Sequence, residues 1–429
     1  MRRKGIEALK SVLIILLSLM AVVMLVHTAL TAAGIQFSWS DLIGRFSSSR
    51  DEGIDSELVA SHAARPVQAA VMSENGVYGV NSGFDELDSV YDSFGQIFSE
   101  ALGSAKDSRD VNEEQWLEAL SERGVYLAFD VSVPVSCLAG WMSVTGSLNF
   151  EADRFVLCAA DEEQVELWCS DGESYYRCST SASSAMLLDR MEQYRPNGAK
   201  FAFQLAQTWE VYNNVDPASV VPHTMSAQVY SAKNSLDTQG VNALMESLLI
   251  NPFIESGYTD ESGNAVYLCA GGTLKISPDG YATYELNSSG NADEMFVAGQ
   301  GGVLDMGIAI EKTRQFAEKT VFERSGSARV YLSAVEQGEK GYIFTYSYYV
   351  DALKVFAGDG GYAARFEFEG ERMSKIELCY ASFEGSAEQL ELMQPLYAAA
   401  TYPALRRARL AAAYTRNEEG MFTAWWHIG

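Results

Sequence analysis

Catalysis at neutral pH most often uses histidine, and this chain has four in 429 residues: His27, His62, His223 and His427. None sits at HxH or HxxxH spacing and none has a cysteine partner nearby, so no zinc-hydrolase signature is present. No serine is followed three residues later by lysine, which excludes the SxxK nucleophile, and no GxSxG elbow occurs. Carboxylates are abundant, which weakens any claim for a paired acid. Glu113-Glu114 reads as the first turn of a helix and Asp161-Glu162-Glu163 as a solvated loop. Gly299-Gln300-Gly301-Gly302 lacks the last glycine of a GxGxxG and follows no clear strand, so it reads as a flexible helix entry. Pro278-Asp279-Gly280 is a turn without the ligand ladder of a calcium loop, and Asn287-Ser288-Ser289 fits a glycosylation triplet. The expectation is a protein without catalytic residues, metal or cofactor.

Cysteines and aromatics are the remaining chemistry. Cys137, Cys158, Cys169, Cys178, Cys269 and Cys379 form no CxxC, and five of them lie in apolar strand-like runs. Buried single thiols explain that pattern more simply than a disulfide framework. Cys169 and Cys178 flank Asp171-Gly172, and whether they bridge is left open by the sequence. Tyr342, Phe344, Tyr346, Tyr348 and Tyr349 nearly alternate along one segment, with Phe366, Phe368, Tyr380 and Phe383 on its presumed neighbours. Such a ladder packs a sheet against a helix, or, if one face is open, binds protein. Trp425-Trp426 at the chain's end is expected on a docked strand.

The elements that would carry these residues begin with an anchor. Arg2, Arg3, Lys4 and Lys10 precede Ser11–Leu30, a run without a single charged side chain. Some 20 residues of helix reach about 30 Å, the thickness of a bilayer's hydrocarbon core. The positive-inside rule keeps Met1 in the cytoplasm and sends the chain beyond Gly34 across. A cleaved signal peptide is the rival reading, since Thr31-Ala32-Ala33 offers small residues; the run exceeds the ~7–15 residues of a signal core. Ser11, Ile14, Ser18, Ala21, Leu25 and Thr28 share one heptad seam. Small and hydroxyl side chains there would admit a second transmembrane helix, so these six are the candidate partner-binding residues.

Beyond the anchor (residues 1–33) and a polar connector (34–63), the spacing gives three units: 64–220, 221–325 and 326–429. A hairpin turns at Asn75-Gly76. Phe84, Leu87, Val90, Tyr91, Phe94, Ile97 and Phe98 mark a helix stripe that Gly103 stops, and Asn112 with Gln115 caps a second helix. Strands follow near 125–132, 154–159, 165–170, 174–180 and 200–205, with a helix near 184–194. The later units each read as a helix (238–250, 303–319) leading into a meander, and a last helix falls near 388–400. The fold class expected is α+β: one N-terminal transmembrane helix, then two or three mixed α+β extracytoplasmic domains with antiparallel sheets.

Hydrophobic content of 48% with 11% aromatics excludes a disordered body, and a net charge of −26 disfavours nucleic acid, polyanionic wall polymers and anionic lipid headgroups. The layout resembles the YycH/YycI family of low-GC Gram-positive bacteria. The features that carry the resemblance are the basic tip and lone span, the Pro66 strand leading into the 84–102 helix, and Glu100-Ala101-Leu102-Gly103-Ser104-Ala105 through Trp116 to Gly124-Val125-Tyr126. Leu274-Lys275-Ile276-Ser277-Pro278-Asp279-Gly280 and the closing Ala424-Trp425 add to it. The six cysteines and Trp426 depart from the family pattern. The resemblance implies a non-enzymatic, single-pass membrane protein that binds and modulates a WalK-type two-component sensor histidine kinase, with a paralogous regulator as a further partner. An envelope-binding structural module is the alternative.

Overall fold

A computed structural model describes residues 63–159, 163–252, 257–287, 294–356, 361–401 and 408–428. The Ser11–Leu30 run and its six seam residues lie outside the described residues, as does nearly all of the connector. Among the described residues no helix is long and apolar enough to cross a membrane. Ala60–Gly429 forms one compact unit.

The unit starts with a seven-stranded antiparallel sheet. Its strands are β1 (Gln68–Ser73), β2 (Gly76–Val80), β3 (Lys106–Val111), β4 (Gly124–Pro134), β5 (Glu151–Cys158), β6 (Gln164–Ser170) and β7 (Tyr175–Ser183), in the order β2-β1-β4-β5-β6-β7-β3. Helices α1 (Phe84–Ser104), α2 (Glu113–Ala119), α3 (Val135–Trp141) and α4 (Ser184–Met191) are interspersed. The stripe of α1 is buried from Leu87 through Leu102, and Phe98 meets Phe155 of β5 edge-on at 5.2 Å. Each such side chain withdrawn from water contributes about 1.5–3 kcal/mol. The opposite face of the sheet is also covered. There Trp116 of α2 and Phe201 pack on Ala70, Tyr126 and Val156. α2 carries a full capping box: Asn112 accepts from the Gln115 amide at 2.8 Å, and Gln115 accepts from the Asn112 amide at 3.1 Å.

A short pair, β8 (Lys200–Phe201) and β9 (Val220–Val221), flanks α5 (Ala202–Ala206). The second sheet then has thirteen strands. Its members are β10 (Ser226–Asn234), β11 (Gly257–Thr259), β12 (Ala265–Cys269), β13 (Gly272–Ile276), β14 (Tyr281–Leu286), β17 (Arg329–Gln337), β18 (Tyr342–Val350), β19 (Leu353–Phe356), β20 (Ala364–Glu369), β21 (Arg372–Cys379), β22 (Ala381–Glu391), β23 (Leu410–Arg416) and β24 (Phe422–Ile428). The order is β11-β12-β13-β14-β21-β20-β18-β19-β23-β24-β10-β22, with β17 on the outer side of β18. Among the described strands of this sheet, only β19 and β23 pair in parallel. The small hairpin β15 (Gly299–Gln300) and β16 (Val303–Leu304) precedes α7 (Met306–Thr320); α6 (Thr238–Ser247) and α8 (Pro395–Thr401) complete the set. α7 lies on the aromatic ladder of β18: Phe316 and Tyr346 each meet Phe366 edge-on at 5.8 Å.

The expected α+β class is corrected by these strands. Among the described residues strand accounts for 45% and helix for 27%, so the body is mainly β. Two long strands, β10 and β22, were not legible. β22 is a polar, exposed edge strand (Ala381-Ser382-Phe383-Glu384-Gly385-Ser386 onward), whose end overlaps the helix expected near 388–400. Edge strands tolerate charge because only one rim is paired, and charge erases the alternating pattern. The strand expected over 200–205 stops at Phe201, where the Gln204 side chain accepts from the Phe201 amide at 3.1 Å and starts α5. Gly301 and Gly302, read as a helix entry, both adopt positive φ (66° and 83°) and turn the β15–β16 hairpin.

Candidate functional site: an arginine-lined cleft

The ladder between β4 and β5 slips between Ala128 and Val133, and the β1–β4 ladder ends at Ala128. Phe129, Asp130 and Val131 are thereby released from the first sheet and face β17, the unpaired rim of the second. A partly open cleft forms there, about 690 Å³ when the solvent at its mouth is counted. One wall is Arg65, Val67 and the released β4 segment; the other is α7, Phe322 and the Arg329–Leu332 stretch of β17, with Trp141 of α3 closing an end.

Charge in the cleft is arranged in three sets. In the first, Asp88 of α1 is shared by two guanidiniums, Arg65 Nη1 at 2.5 Å and Arg329 Nη1 and Nη2 at 2.9 and 2.6 Å. Burial works to raise the Asp88 carboxyl, but hydrogen bonds and charge from Arg329, with Arg65 behind them, outweigh it and hold it low. Arg329 also stacks 4.0 Å over the Phe84 ring, and Arg65 lies 5.4 Å from the Tyr91 ring. Arg65 Nε is buried without a hydrogen-bond partner.

In the second set Arg314 of α7 lies between Glu311 and Glu318, one turn either way, at 2.5 Å from each. The two carboxylates fare differently. Glu311 also accepts from the Trp141 indole at 3.0 Å and the Gln315 amide at 2.7 Å. Burial opposes its charge, yet the hydrogen bond and charge of Arg314, with the Trp141 and Gln315 donors behind them, keep its carboxyl low. Glu318 has Arg314 for its donor, and burial prevails over that ion pair, pushing its carboxyl up to about 7. In the third set Asp130 accepts from the Tyr349 hydroxyl and from Lys354 at 3.2 Å.

A buried network behind the cleft fastens the chain's end to the first sheet. Arg409, just before β23, donates to the Phe129 carbonyl at 3.0 Å and to Asp153 of β5 at 3.1 Å. Arg154 reaches Asp216 at 2.7 Å. Burial raises the Asp153 carboxyl against the pull of Arg154 and Arg409. The released β4 segment is therefore held in place from outside its own sheet.

The expected candidates are not gathered at this cleft. Glu113-Glu114 form the first turn of α2, Pro278-Asp279-Gly280 is a turn with Gly280 at φ 88°, and His223 and His427 are exposed. No disulfide joins any of the six cysteines, and the register sets Cys169 opposite Tyr176 and Cys178 opposite Leu167. Among the described residues no group of three His, Cys, Asp or Glu could hold a metal ion. The cleft arginines were missed because Arg65, Asp88, Arg314 and Arg329 come together across more than 200 residues. The Glu311-Arg314-Glu318 spacing was the one local signal. A second surface lies at the chain's end, where Trp426 donates to the Met393 carbonyl at 2.6 Å while Met393, Tyr397 and Trp425 stay half or more exposed.

Comparison with protein-family models, curated proteins and solved structures finds no match for the chain.

Proposed function

We propose that this chain is a membrane-anchored extracytoplasmic regulatory protein that binds a two-component sensor histidine kinase of the WalK type and modulates its output. The observation that carries the reading is the apolar surface at the chain's end. Met393 (51% exposed), Tyr397 (59%) and Trp425 (62%) sit on segments that the Trp426–Met393 bond joins. Aromatic and methionine side chains held in this way on a soluble face are enriched in protein interfaces. The basic tip and uncharged run at Ser11–Leu30 support delivery of that surface to the outer side of a membrane. The resemblance to the YycH/YycI family supplies the kinase as partner, and the Ser11, Ile14, Ser18, Ala21, Leu25, Thr28 seam supplies a second contact within the bilayer.

The test is signalling by the partner two-component system, read from a promoter reporter at equal membrane levels of each variant. Ser18→Leu with Ala21→Leu closes the seam to a second helix while keeping hydropathy. Trp425→Ser with Tyr397→Ser removes the outer surface. Either pair is expected to change output, whereas Leu17→Ile with Val22→Ile is silent. Unaltered output from both test pairs would refute the proposal.

A further inference from the structure

We propose that the cleft between β4 and β17 binds a small quaternary ammonium group, seated among aromatic rings with the Glu318 carboxylate as its counter-charge. The inference stands apart from the kinase reading, since it concerns a different face and a different kind of ligand.

Lining comes first. Phe129, Trp141, Phe322, Tyr331 and Tyr346 all border the cleft. The polar handles among them are engaged: the Trp141 indole donates to Glu311 at 3.0 Å, Tyr346 shares a hydrogen bond with Thr313 at 2.9 Å, and Tyr331 accepts from Arg329 at 3.4 Å. These rings therefore offer a ligand carbon surface, and an aromatic π-face attracts a cation. Charge selects the same sign. Lys354 matches Asp130, and Arg65 and Arg329 match Asp88 and Asp92. Arg314, by contrast, faces both Glu311 and Glu318, so one negative charge of α7 is unmatched when both are ionised. It falls on Glu318. Glu311 has the Trp141 and Gln315 donors besides Arg314, whereas burial pushes the Glu318 carboxyl up to about 7 against the pull of Arg314, with Glu311 and Glu323 adding to the push. The remaining titratable groups at the cleft do not compensate it: Arg65, Asp130 and Arg329 are paired, and burial raises the hydroxyls of Tyr331 and Tyr346, which stay neutral.

Hydrogen bonding then decides the kind of cation. A primary ammonium brings three donors and needs acceptors for them, while Asp130 is held by Tyr349 and Lys354 and Glu311 by three donors of its own. A quaternary ammonium has no donor to satisfy and lays methyl groups against the rings. Size agrees. The enclosed part of the cleft measures about 50 Å³, and one water needs about 10–15 Å³ on that measure, so a head of about four or five heavy atoms fits while a longer substituent leaves through the mouth. The overall charge of −26 favours the approach of a cation.

The experiment uses the full chain in dodecylmaltoside micelles and tetramethylammonium as probe, its methyl protons followed by saturation-transfer NMR against micelles without protein. Saturable binding displaced by choline is expected. The neutral isostere of choline, with a tert-butyl group in place of trimethylammonium, should compete about tenfold less well, since it fills the same space without the charge. A bound cation favours ionised Glu318, so affinity should rise about tenfold from pH 6 to pH 8, as the ionised fraction goes from roughly a tenth to nine tenths. Glu318→Gln resembles the protonated acid and should hold affinity near its pH 6 value throughout. Phe322→Leu keeps an apolar side chain but removes a ring, and should weaken binding at both pH values. Competition by choline alone would place the ammonium on a free solute, and equal competition by micellar phosphatidylcholine would place it on a lipid headgroup; either supports the site. Absence of saturable binding, equal competition by the neutral isostere, or an affinity that ignores both pH and Glu318→Gln would overturn the proposal.

Discussion

Replacing Arg409 by methionine tests how the chain's end is fastened to the first sheet. The Arg409 side chain is largely buried and makes two bonds to that sheet, to the Phe129 carbonyl at 3.0 Å and to Asp153 at 3.1 Å. Methionine fills much of the volume but leaves Asp153 with only the longer 3.5 Å contact to Arg154, and leaves the Phe129 carbonyl without this donor. Breaking a buried pair from one side costs about 3–5 kcal/mol, because the remaining charge stays desolvated. Asp153→Asn in the same background removes that charge, so the double variant should recover about half of the loss. A coupling of roughly 1–3 kcal/mol is expected, as for residues in one network. The assay is urea unfolding of the full chain in nanodiscs, followed by tryptophan fluorescence, with all four members of the cycle measured. A loss under ~1 kcal/mol for Arg409→Met, or strictly additive single effects, would refute the idea that this network holds the two sheets together.

Other outcomes follow from the same geometry. Glu318 holds its proton more tightly in the folded chain, up to about 7 against an ordinary 4.5, so its contribution is fully present below pH 4.5 and is lost as pH rises to 7. The effect is ~3 kcal/mol at most, and Glu318→Gln should flatten that part of the stability profile. Burial pushes the thiols of Cys137 and Cys158 up to about 11 and 12, so both should resist a thiol reagent at pH 8 until denaturant is added; rapid labelling of Cys158 in the folded chain would contradict its burial. Asn112→Ala removes the cap of α2 and should cost about 1 kcal/mol in the same unfolding assay.

Local chemistry was the part most readable from sequence. Asn75-Gly76 turns the β1–β2 hairpin, the seven apolar positions of α1 announce its buried stripe, and Asn112 with Gln115 begins α2 as their spacing requires. Tyr346 of the β18 ladder likewise packs beneath α7, bonded to Thr313, whereas Tyr349 reaches Asp130 on the other side. What was not readable is pairing at long range. β10 and β22 are joined over residues 226–234 and 381–391, yet nothing local in the acidic 384–391 stretch distinguishes a half-solvated strand from a helix. That is how a mainly β body was read as α+β. The cleft failed for a related reason. Its walls come from a slipped ladder at Phe129–Val131 and from arginines whose acid partner, Asp88, lies on another element, and neither a register slip nor a shared carboxylate leaves a sequence motif.

The most direct measurement of the proposed role is the autophosphorylation rate of a WalK-type sensor kinase reconstituted in nanodiscs with and without this chain. The account predicts a change in rate that saturates with the chain, diminishes with Trp425→Ser plus Tyr397→Ser, and diminishes again with Ser18→Leu plus Ala21→Leu. A rate that stays the same at saturating chain, with both proteins in one disc, would contradict it.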